Sequence, residues 1–141
     1  MKFGLIGHPI EHSLSPALFK AGYDGRYTYD LIETADFEEA YERFLEEYDG
    51  INVTAPFKEL AFAKADILSP ECESVGATNL LVKTHQGVKA FNSDFLGVRM
   101  WLEEVAAEVR TEKISVLIVG LGGAGKAAAA AAESLGMKGV R

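Results

Sequence analysis

The sequence predicts an α/β protein with a mixed, mostly parallel sheet and helices on both of its faces. Two observations carry this prediction. Apolar runs typical of strands alternate with amphipathic helical patterns over residues 1–110, and two later runs are close enough to form an antiparallel hairpin. The 141 residues include 48% hydrophobic and 25% charged side chains, 14 Gly and 4 Pro, which is typical of a folded globular chain rather than a disordered or fibrous one.

The first part of the chain is predicted to alternate strand and helix. Three short apolar runs form the predicted strands: Lys2–Gly7, residues 27–33 and Gly50–Val53. Residues 15–21 are expected to be helical, with Ser15 as N-cap and Pro16 in the first helical position. A second helix is expected over residues 36–48, where Asp36 and Glu39 fit a capping box. Its apolar residues fall on one face: Phe37, Tyr41, Phe44, Leu45 and Tyr48.

Helical pieces, a hairpin and a long helix are predicted to follow. Residues 56–66 and Pro70–Val75 are expected to be helical, the second piece capped by Ser69 and ended by Gly76. Residues 79–83 and 88–92 are the two runs of the hairpin. Asp94 is expected to cap a helix that extends to about Arg110, because its apolar residues recur at intervals of three and four.

A glycine-rich loop then follows an apolar strand over residues 114–119. Gly120, Gly122 and Gly125 fit the pattern G-x-G-x-x-G before an alanine-rich helix. Glycines in this position let the backbone approach a pyrophosphate at the helix N-terminus, so a dinucleotide is the favoured ligand. The same loop also spells G-x-x-x-x-G-K, but the next residue is Ala127 instead of the Ser or Thr that ligates Mg²⁺ in triphosphate-binding loops.

These elements divide the chain into two predicted domains. Residues 1–110 should form a substrate-binding and catalytic domain, and residues 111–141 the first β-α unit of a Rossmann dinucleotide-binding domain. Residues 138–141 suffice only to begin a further strand, so the second domain is expected to be cut short.

Charge and hydropathy exclude several classes of function. Fourteen basic against 21 acidic residues give a net charge of −7, so nucleic acid is not an expected partner. No apolar run approaches the ~20 residues that span a bilayer, and none resembles a signal peptide, so we expect no membrane partner and a cytoplasmic location. The single cysteine, Cys72, fits a reducing compartment, and Glu71 and Glu73 beside it should raise its pKa.

A possible metal motif is present near the N-terminus. His8 and His12 match the string H-x-x-E-H of a class of zinc peptidases. That chemistry needs both histidines one turn apart on a helix, whereas this pair falls in a Pro-containing turn, so no metal site is expected.

Polar side chains gather where the predicted strands end. In an open α/β sheet, ligands bind outside the carboxyl ends of the parallel strands, and an antiparallel strand begins at that same edge. The residues placed there are Ser13, Ser15, Asn52, Thr54, Lys58, Asn79, Asn92, Ser93 and Asp94. They offer hydroxyls and amides to a small polyhydroxylated or carboxylated molecule, with one lysine and one carboxylate for proton transfer. The alternative is ordinary structure, because Ser15 and Asp94 are also good N-caps and Lys58 could be a solvated helix residue.

Four strings in order resemble the motifs of the shikimate dehydrogenase family. They are GHPIEHSLSP at residues 7–16, GINVTAPFK at 50–58, GATNL at 76–80 and NSDFLG at 92–97. The glycine loop follows where that family has its NADP-binding domain, so the resemblance covers this chain but only about the first half of such an enzyme. Four residues depart from the family pattern, none of them assigned to chemistry: Phe19 for a usual His, Thr78 for Val, Leu80 for Thr and Ser93 for Thr.

The resemblance implies a reaction and a role for each matching residue. The reaction is the reversible NADPH-dependent reduction of 3-dehydroshikimate to shikimate in aromatic amino-acid biosynthesis, by a monomer or homodimer. In it, Lys58 would be the acid and base, and Asp94 would orient it. The implied substrate ligands are Ser13 and Ser15 for the carboxylate and Thr54 and Asn79 for ring hydroxyls. The implied NADP ligands are Gly120, Leu121, Gly122, Gly123 and Ala124.

Two other functions stay open at this point. Residues that complete the family's cofactor and substrate sites are not among these 141, so the chain by itself is expected to be inactive. The residue that selects NADP or NAD lies ~20 positions beyond the glycines, so an NAD-using quinate/shikimate dehydrogenase is one alternative. A non-catalytic module that binds a shikimate-like ligand is the other.

Overall fold

The structure is a computed structural model that describes residues 1–109 and 114–140. Six strands form the larger sheet: β1 (Lys2–Gly7), β2 (Thr28–Glu33), β3 (Gly50–Val53), β4 (Ile67–Leu68), β5 (Leu80–Thr84) and β6 (Gly87–Phe91). A second sheet has two strands: β7 (Ser115–Leu117) and β8 (Lys138–Val140). The helices are α1 (Ser15–Gly22), α2 (Phe37–Glu47), α3 (Lys58–Lys64), α4 (Pro70–Val75), α5 (Ser93–Val109) and α6 (Gly123–Ser134).

The larger sheet has the strand order β2-β1-β3-β5-β6-β4. Strand β1 pairs in parallel with both β2 and β3, and β4 pairs in parallel with β6. Strands β5 and β6 form an antiparallel hairpin, and β5 also pairs antiparallel with β3. The predicted mixed, mostly parallel sheet is therefore confirmed.

One face of this sheet carries the main apolar core beneath α2. Phe44 and Tyr48 are almost fully buried there, against Ile6 and Ile51 of the central strands. Leu45 is 42% exposed, so its predicted place on the buried face is wrong. The helical repeat rotates Leu45 about 100° from Phe44, which takes it off the apolar stripe.

The opposite face is covered by α1 and an aromatic cluster. Phe19 of α1 stacks on Phe3 of β1 and on Tyr29 of β2, with ring centroids 5.2 and 4.6 Å apart. Tyr23 and Tyr27 extend the cluster. Helices consequently lie on both faces of the sheet, as the sequence predicts.

Of three predicted helix caps, that of α1 is wrong, whereas those of α2 and α4 are confirmed in position but differ in their side-chain bonds. The N-cap of α1 is Leu14, and Ser15 instead donates its backbone N–H to the Ser13 hydroxyl at 3.2 Å. The side chain of Asp36 does cap α2, but the reciprocal half of the capping box is missing because Glu39 contacts Thr34. Ser69 occupies the N-cap position of α4 without making a side-chain cap bond, since its hydroxyl donates to Glu71.

The predicted N-cap of the long helix α5 is wrong. Asn92, and not Asp94, caps α5, because its Oδ1 accepts from the backbone N–H of Phe95 at 3.0 Å. The side chain of Asp94 is thereby left for other partners. The predicted end of this helix at Arg110 lies outside the described residues.

Strands β7 and β8 are parallel and joined by α6, which forms the β-α-β unit expected around the glycine loop. Strand β7 is shorter than the predicted residues 114–119. The small side chains of Ala127 and Ala131 are fully buried, and they let α6 pack closely against Phe95 of α5 and Val75 of α4. The division into domains at residues 110 and 111 stays a prediction. None of the helices in residues 1–109 and 114–140 combines the length and hydropathy needed to cross a membrane.

Candidate active site

A pocket of about 340 Å³ opens at the carboxyl ends of β1 and β3. Its polar wall comprises Ser15, Asn52, Thr54, Lys58, Asn79 and Asp94. The other lining residues are Leu5, Leu18, Phe19, Tyr29 and Val53. Five of the six predicted catalytic and substrate-binding residues therefore line one pocket. The sixth, Ser13, lines an adjoining cavity of about 350 Å³ that shares Leu5, Ser15 and Thr54 with it.

Lys58 and Asp94 form an ion pair in this pocket. Nζ of Lys58 donates to Oδ2 of Asp94 at 2.5 Å, and the two side chains are 16% and 33% exposed. Lys58 is the first residue of α3 and Asp94 is the second of α5. Two helices that begin at the same edge of the sheet thus bring together a proton donor and a carboxylate 36 residues apart.

Asn79 completes the bonding of this carboxylate. Its Nδ2 donates to Oδ1 of Asp94 at 2.9 Å and to the Ser93 hydroxyl at 2.8 Å, and its Oδ1 accepts from the backbone N–H of Ser93. Both oxygens of Asp94 therefore have a partner. Asn79 is itself buried, so its side chain is held in one orientation.

The two serines occupy the turn before α1. The hydroxyl of Ser13 donates to that of Ser15 at 3.1 Å. Thr54 lies close by, because Gly7 has no side chain: a Cβ at Gly7 would lie only 2.4 Å from Cγ2 of Thr54. The site therefore presents three hydroxyls along one side of the neighbouring cavities.

Two residues of this region differ from expectation. Asn92 is fully buried and binds the carbonyl of Ala77 and the N–H of Phe95, so it does not line the pocket. Tyr29, which the strand-end argument missed, does line it, and its hydroxyl donates to Oδ1 of Asn52 at 2.8 Å. Tyr29 is the second residue of β2, near its amino end, whereas the argument considered the carboxyl ends of the parallel strands. Sequence alternation places Tyr29 on one face of β2 but does not indicate what that face meets.

A second cleft, of about 540 Å³, separates the loop after β3 from the glycine loop. Gly120, Gly122, Gly123 and Ala124 line this cleft, whereas Leu121 points to a different cavity beside α4. Gly120 has a φ of +95°, which favours glycine. A Cβ at Gly125 would lie 2.0 Å from the carbonyl oxygen of Gly120, so only glycine allows this turn.

The glycine loop suits a dinucleotide better than a nucleoside triphosphate. Gly122 is the N-cap of α6 and has no side chain that could occupy the helix end, and Gly123, Ala124 and Gly125 of the first turn line the open cleft. The first N–H groups of a helix lack partners within it, which is what binds a pyrophosphate. Ala127 is fully buried against α5 and has no side-chain oxygen to offer Mg²⁺.

The glycine loop also lies against the lysine of the pocket. A Cβ at Gly123 would lie 2.8 Å from Cδ of Lys58. Lys126 of α6 forms an ion pair with Glu59 of α3 beside it. The two cavities therefore meet at Lys58.

The remaining candidates are the two histidines of the possible metal motif and the single cysteine. His8 and His12 lie near Glu33 and Glu11 respectively, and no group of three or more His, Cys, Asp or Glu in residues 1–109 and 114–140 could hold a metal ion. Burial is the main cause that raises the pKa of Cys72, opposed by hydrogen bonds from neighbouring hydroxyls. The carboxylates beside it in sequence are therefore not the main cause.

Comparison with known proteins identifies relatives of this chain. The family described as the shikimate dehydrogenase substrate-binding domain matches residues 5–81. The shikimate dehydrogenase (NADP(+)) of Thermotoga maritima is 35% identical over 143 aligned residues, covering 98% of this chain and 53% of that protein. The enzyme of the same name from Thermus thermophilus is 32% identical with the same coverage. The chain spans about half the length of the curated relatives it matches.

Solved structures show the same likeness. Shikimate dehydrogenase from Thermotoga maritima has a TM-score of 0.80 and 32% identity, covering all of this chain and 56% of that one. Shikimate 5-dehydrogenase from Thermus thermophilus, in complex with NADP(H) and shikimate, has a TM-score of 0.73 and 29% identity, covering all of this chain and 63% of that one.

Fold and site together define an α/β protein with a polar small-molecule pocket beside a glycine-rich loop of the dinucleotide-binding type. Within that class, the family of this chain is identified by the match over residues 5–81 and by the similarity along the whole chain. The chain belongs to the shikimate dehydrogenase family.

Proposed function

We propose that this chain supplies the substrate-binding and catalytic part, and the start of the cofactor-binding part, of an NADP-dependent shikimate dehydrogenase. In the reaction, 3-dehydroshikimate is reduced reversibly to shikimate. The observation that carries the proposal is the Lys58–Asp94 pair, 2.5 Å apart and set between a hydroxyl-rich pocket and a glycine-loop cleft. The names of the relatives from Thermotoga maritima and Thermus thermophilus support the substrate and the cofactor.

Each side chain of the pocket has a role that its chemistry allows. The hydroxyls of Ser13 and Ser15 donate to the substrate carboxylate, as neutral donors that hold an anion without a salt bridge. Thr54 and Asn79 bind ring hydroxyls, because both can donate and accept. Their separation from the serines along the pocket sets the orientation of the ring.

Lys58 donates the proton in the reduction and accepts it in the oxidation. When the substrate carbonyl is reduced, negative charge develops on its oxygen, and an ammonium group beside that oxygen stabilises the charge and delivers a proton. In the reverse direction, the neutral amine accepts the hydroxyl proton. Asp94 orients the lysine, and Asn79 in turn holds the other oxygen of Asp94.

A nicotinamide cofactor, when bound, supplies the hydride. Gly120, Gly122, Gly123 and Ala124, which line the cleft, are the proposed ligands of its pyrophosphate, mainly through backbone N–H groups. Leu121 would contribute only its backbone N–H, because its side chain lines the cavity beside α4. Contact between Gly123 and the stem of Lys58 would bring the cofactor loop next to the acid and base.

Binding is the first test, because it does not require turnover. Ligand-observed NMR is measured for the chain with shikimate, quinate and a carboxylic acid of similar size without ring hydroxyls. We expect shikimate to bind and the double variant Ser13→Ala, Ser15→Ala to abolish binding. The control is Ser74→Ala, Ser134→Ala, since both hydroxyls only donate to carbonyls within their own helices.

The outcomes separate this function from its alternatives. No binding of shikimate by the folded chain would contradict the proposal. Stronger binding of quinate would favour the quinate/shikimate dehydrogenase. Binding of shikimate by a protein that never transfers hydride from NADPH, even as part of a longer chain, would favour a non-catalytic module.

The role of Lys58 is tested by steady-state kinetics of 3-dehydroshikimate reduction by NADPH. The protein used is an active preparation that contains this chain. Lys58→Ala should lower kcat by about 10²–10⁴-fold and raise KM far less, because the lysine acts mainly on the transition state. Lys83→Ala is the matched control, since Lys83 is exposed and its Nζ donates to the carbonyl of Leu45. An unchanged kcat in Lys58→Ala would refute the role.

A further inference from the structure

Tyr29 is a residue of the pocket that the proposed reaction does not use. It is the second residue of β2, opposite Phe3 of β1, and it lines the pocket together with Asn52. Its hydroxyl donates to Oδ1 of Asn52 at 2.8 Å. The register places Asn52 opposite Leu5, two residues further along β1 than Phe3. All four side chains therefore share one face of the sheet.

The position of the Tyr29 ring is set by stacking. Phe19 contacts it with centroids 4.6 Å apart and an interplanar angle of 37°, and Phe19 is in turn held by Phe3 and Tyr23. Contacts of this geometry hold a ring without help from its hydroxyl. Replacing Tyr29 by Phe should therefore remove the hydroxyl and leave the ring in place.

The hydroxyl of Tyr29 begins a run of hydrogen bonds that ends at Asn79. It donates to Oδ1 of Asn52, and Nδ2 of Asn52 donates to the carbonyl of Asn79 at 3.3 Å. Ser15, whose hydroxyl accepts from Ser13 at 3.1 Å, lines the same pocket as Tyr29.

This run of hydrogen bonds leaves only one favourable orientation for the Asn52 amide. The carbonyl of Asn79 is an acceptor, so it must face the NH₂ group, and the phenol then faces Oδ1. A flipped amide would set two acceptors against each other at Asn79. Because burial raises the pKa of Tyr29, the phenol keeps its proton at neutral pH and stays a donor.

We propose that Tyr29 is a positioning residue of the pocket, which fixes the amide of Asn52 and, through it, the backbone of Asn79 beside Asp94. With the phenol in place, Asn52 and Asn79 keep the orientation that a bound substrate meets. This inference rests on the proposed function, because it takes the ligand of the pocket to be a hydroxylated ring.

The test compares Tyr29→Phe with Tyr27→Phe. Tyr27 belongs to the same aromatic cluster, 5.8 Å from Phe3 and 5.4 Å from Tyr23, but does not line the pocket. The first readout is the side-chain NH₂ signals in ¹H–¹⁵N spectra without ligand. Tyr29→Phe should shift those of Asn52, and Tyr27→Phe should not.

The second readout is the Kd for shikimate. Loss of one hydrogen bond from the chain should weaken binding by about 3- to 10-fold in Tyr29→Phe, and Tyr27→Phe should bind as the original chain does. In an Asn52→Ala background the added effect of Tyr29→Phe should be smaller, because the phenol acts through the Asn52 amide. A residue that merely supported the fold would give losses that add.

The outcomes distinguish this inference from the function on which it rests. Shikimate binding that Tyr29→Phe leaves unchanged, or losses that simply add with Asn52→Ala, would overturn the positioning role and leave the proposed function intact. Unshifted Asn52 signals in Tyr29→Phe would overturn it in the same way. A folded chain that does not bind shikimate would overturn both.

Discussion

Replacing Asn92 by alanine should destabilise the protein far more than an ordinary cap substitution. Asn92 is fully buried, its Oδ1 accepts from the N–H of Phe95 at 3.0 Å, and its Nδ2 donates to the carbonyl of Ala77 at 2.8 Å. Loss of the cap costs about 1 kcal/mol. The buried carbonyl left without a donor costs about 1–3 kcal/mol more. The free energy of unfolding should therefore fall by about 2–4 kcal/mol in Asn92→Ala.

Urea unfolding followed by circular dichroism measures this change. With a slope of about 2 kcal/mol per M, the midpoint should move down by about 1–2 M. Asp36→Ala is the matched control, because Asp36 caps α2 from the surface and makes no second buried bond, so it should cost only about 1 kcal/mol. If Asn92→Ala costs no more than Asp36→Ala, the contribution assigned to the buried bond with Ala77 is wrong.

Three further predictions follow from single positions. Gly123→Ala should weaken shikimate binding by about 5- to 30-fold in an NMR titration, because its Cβ would lie 2.8 Å from Cδ of Lys58 and displace that side chain. Gly122→Ala is the control and should bind normally, since its Cβ meets nothing within 4 Å. Gly97→Ala should raise the Tm by about 2–4 °C in a thermal scan, since a Cβ there meets nothing and alanine favours the helix; an unchanged or lower Tm would contradict this. Cys72, buried and with its pKa raised by burial, should react with a coloured thiol reagent at pH 8 only slowly until urea unfolds the chain, and fast reaction of the folded chain would contradict its burial.

Local patterns were sufficient for most of the elements. The bounds of β1, β3 and α4 agree with the predicted runs, and the hairpin of β5 and β6 follows from two apolar runs with a glycine between them. Strand β4 was missed because a period of two cannot be recognised in two residues. Strand β4 forms because it pairs with β6: the N–H of Asp66 donates to the carbonyl of Val88, and that of Ser69 donates to the carbonyl of Ala90.

The caps show where residue type ceases to be informative. Asn, Asp and Ser all favour the N-cap, so a sequence that offers Asn92, Ser93 and Asp94 in a row does not say which one takes the role. The choice depends on partners distant in sequence. Lys58 and Asn79 bind the side chain of Asp94, which leaves Asn92 to cap the helix.

The polar residues of the pocket could be predicted because strand ends converge at one edge of an α/β sheet. The residue types and their spacing in the motifs identified each of them from the sequence. Distances, burial and orientation could not be read in this way. Lys58 and Asp94 meet only because α3 and α5 begin at the same edge of the folded sheet, and Gly123 reaches Lys58 only because alanines let α6 approach. Tyr29 depends on parallel register across β1 and β2 and on Phe19 stacked above it. Local order along a chain follows from neighbours in sequence, but contact between distant side chains is a property of packing, and it exists only once the whole chain has folded.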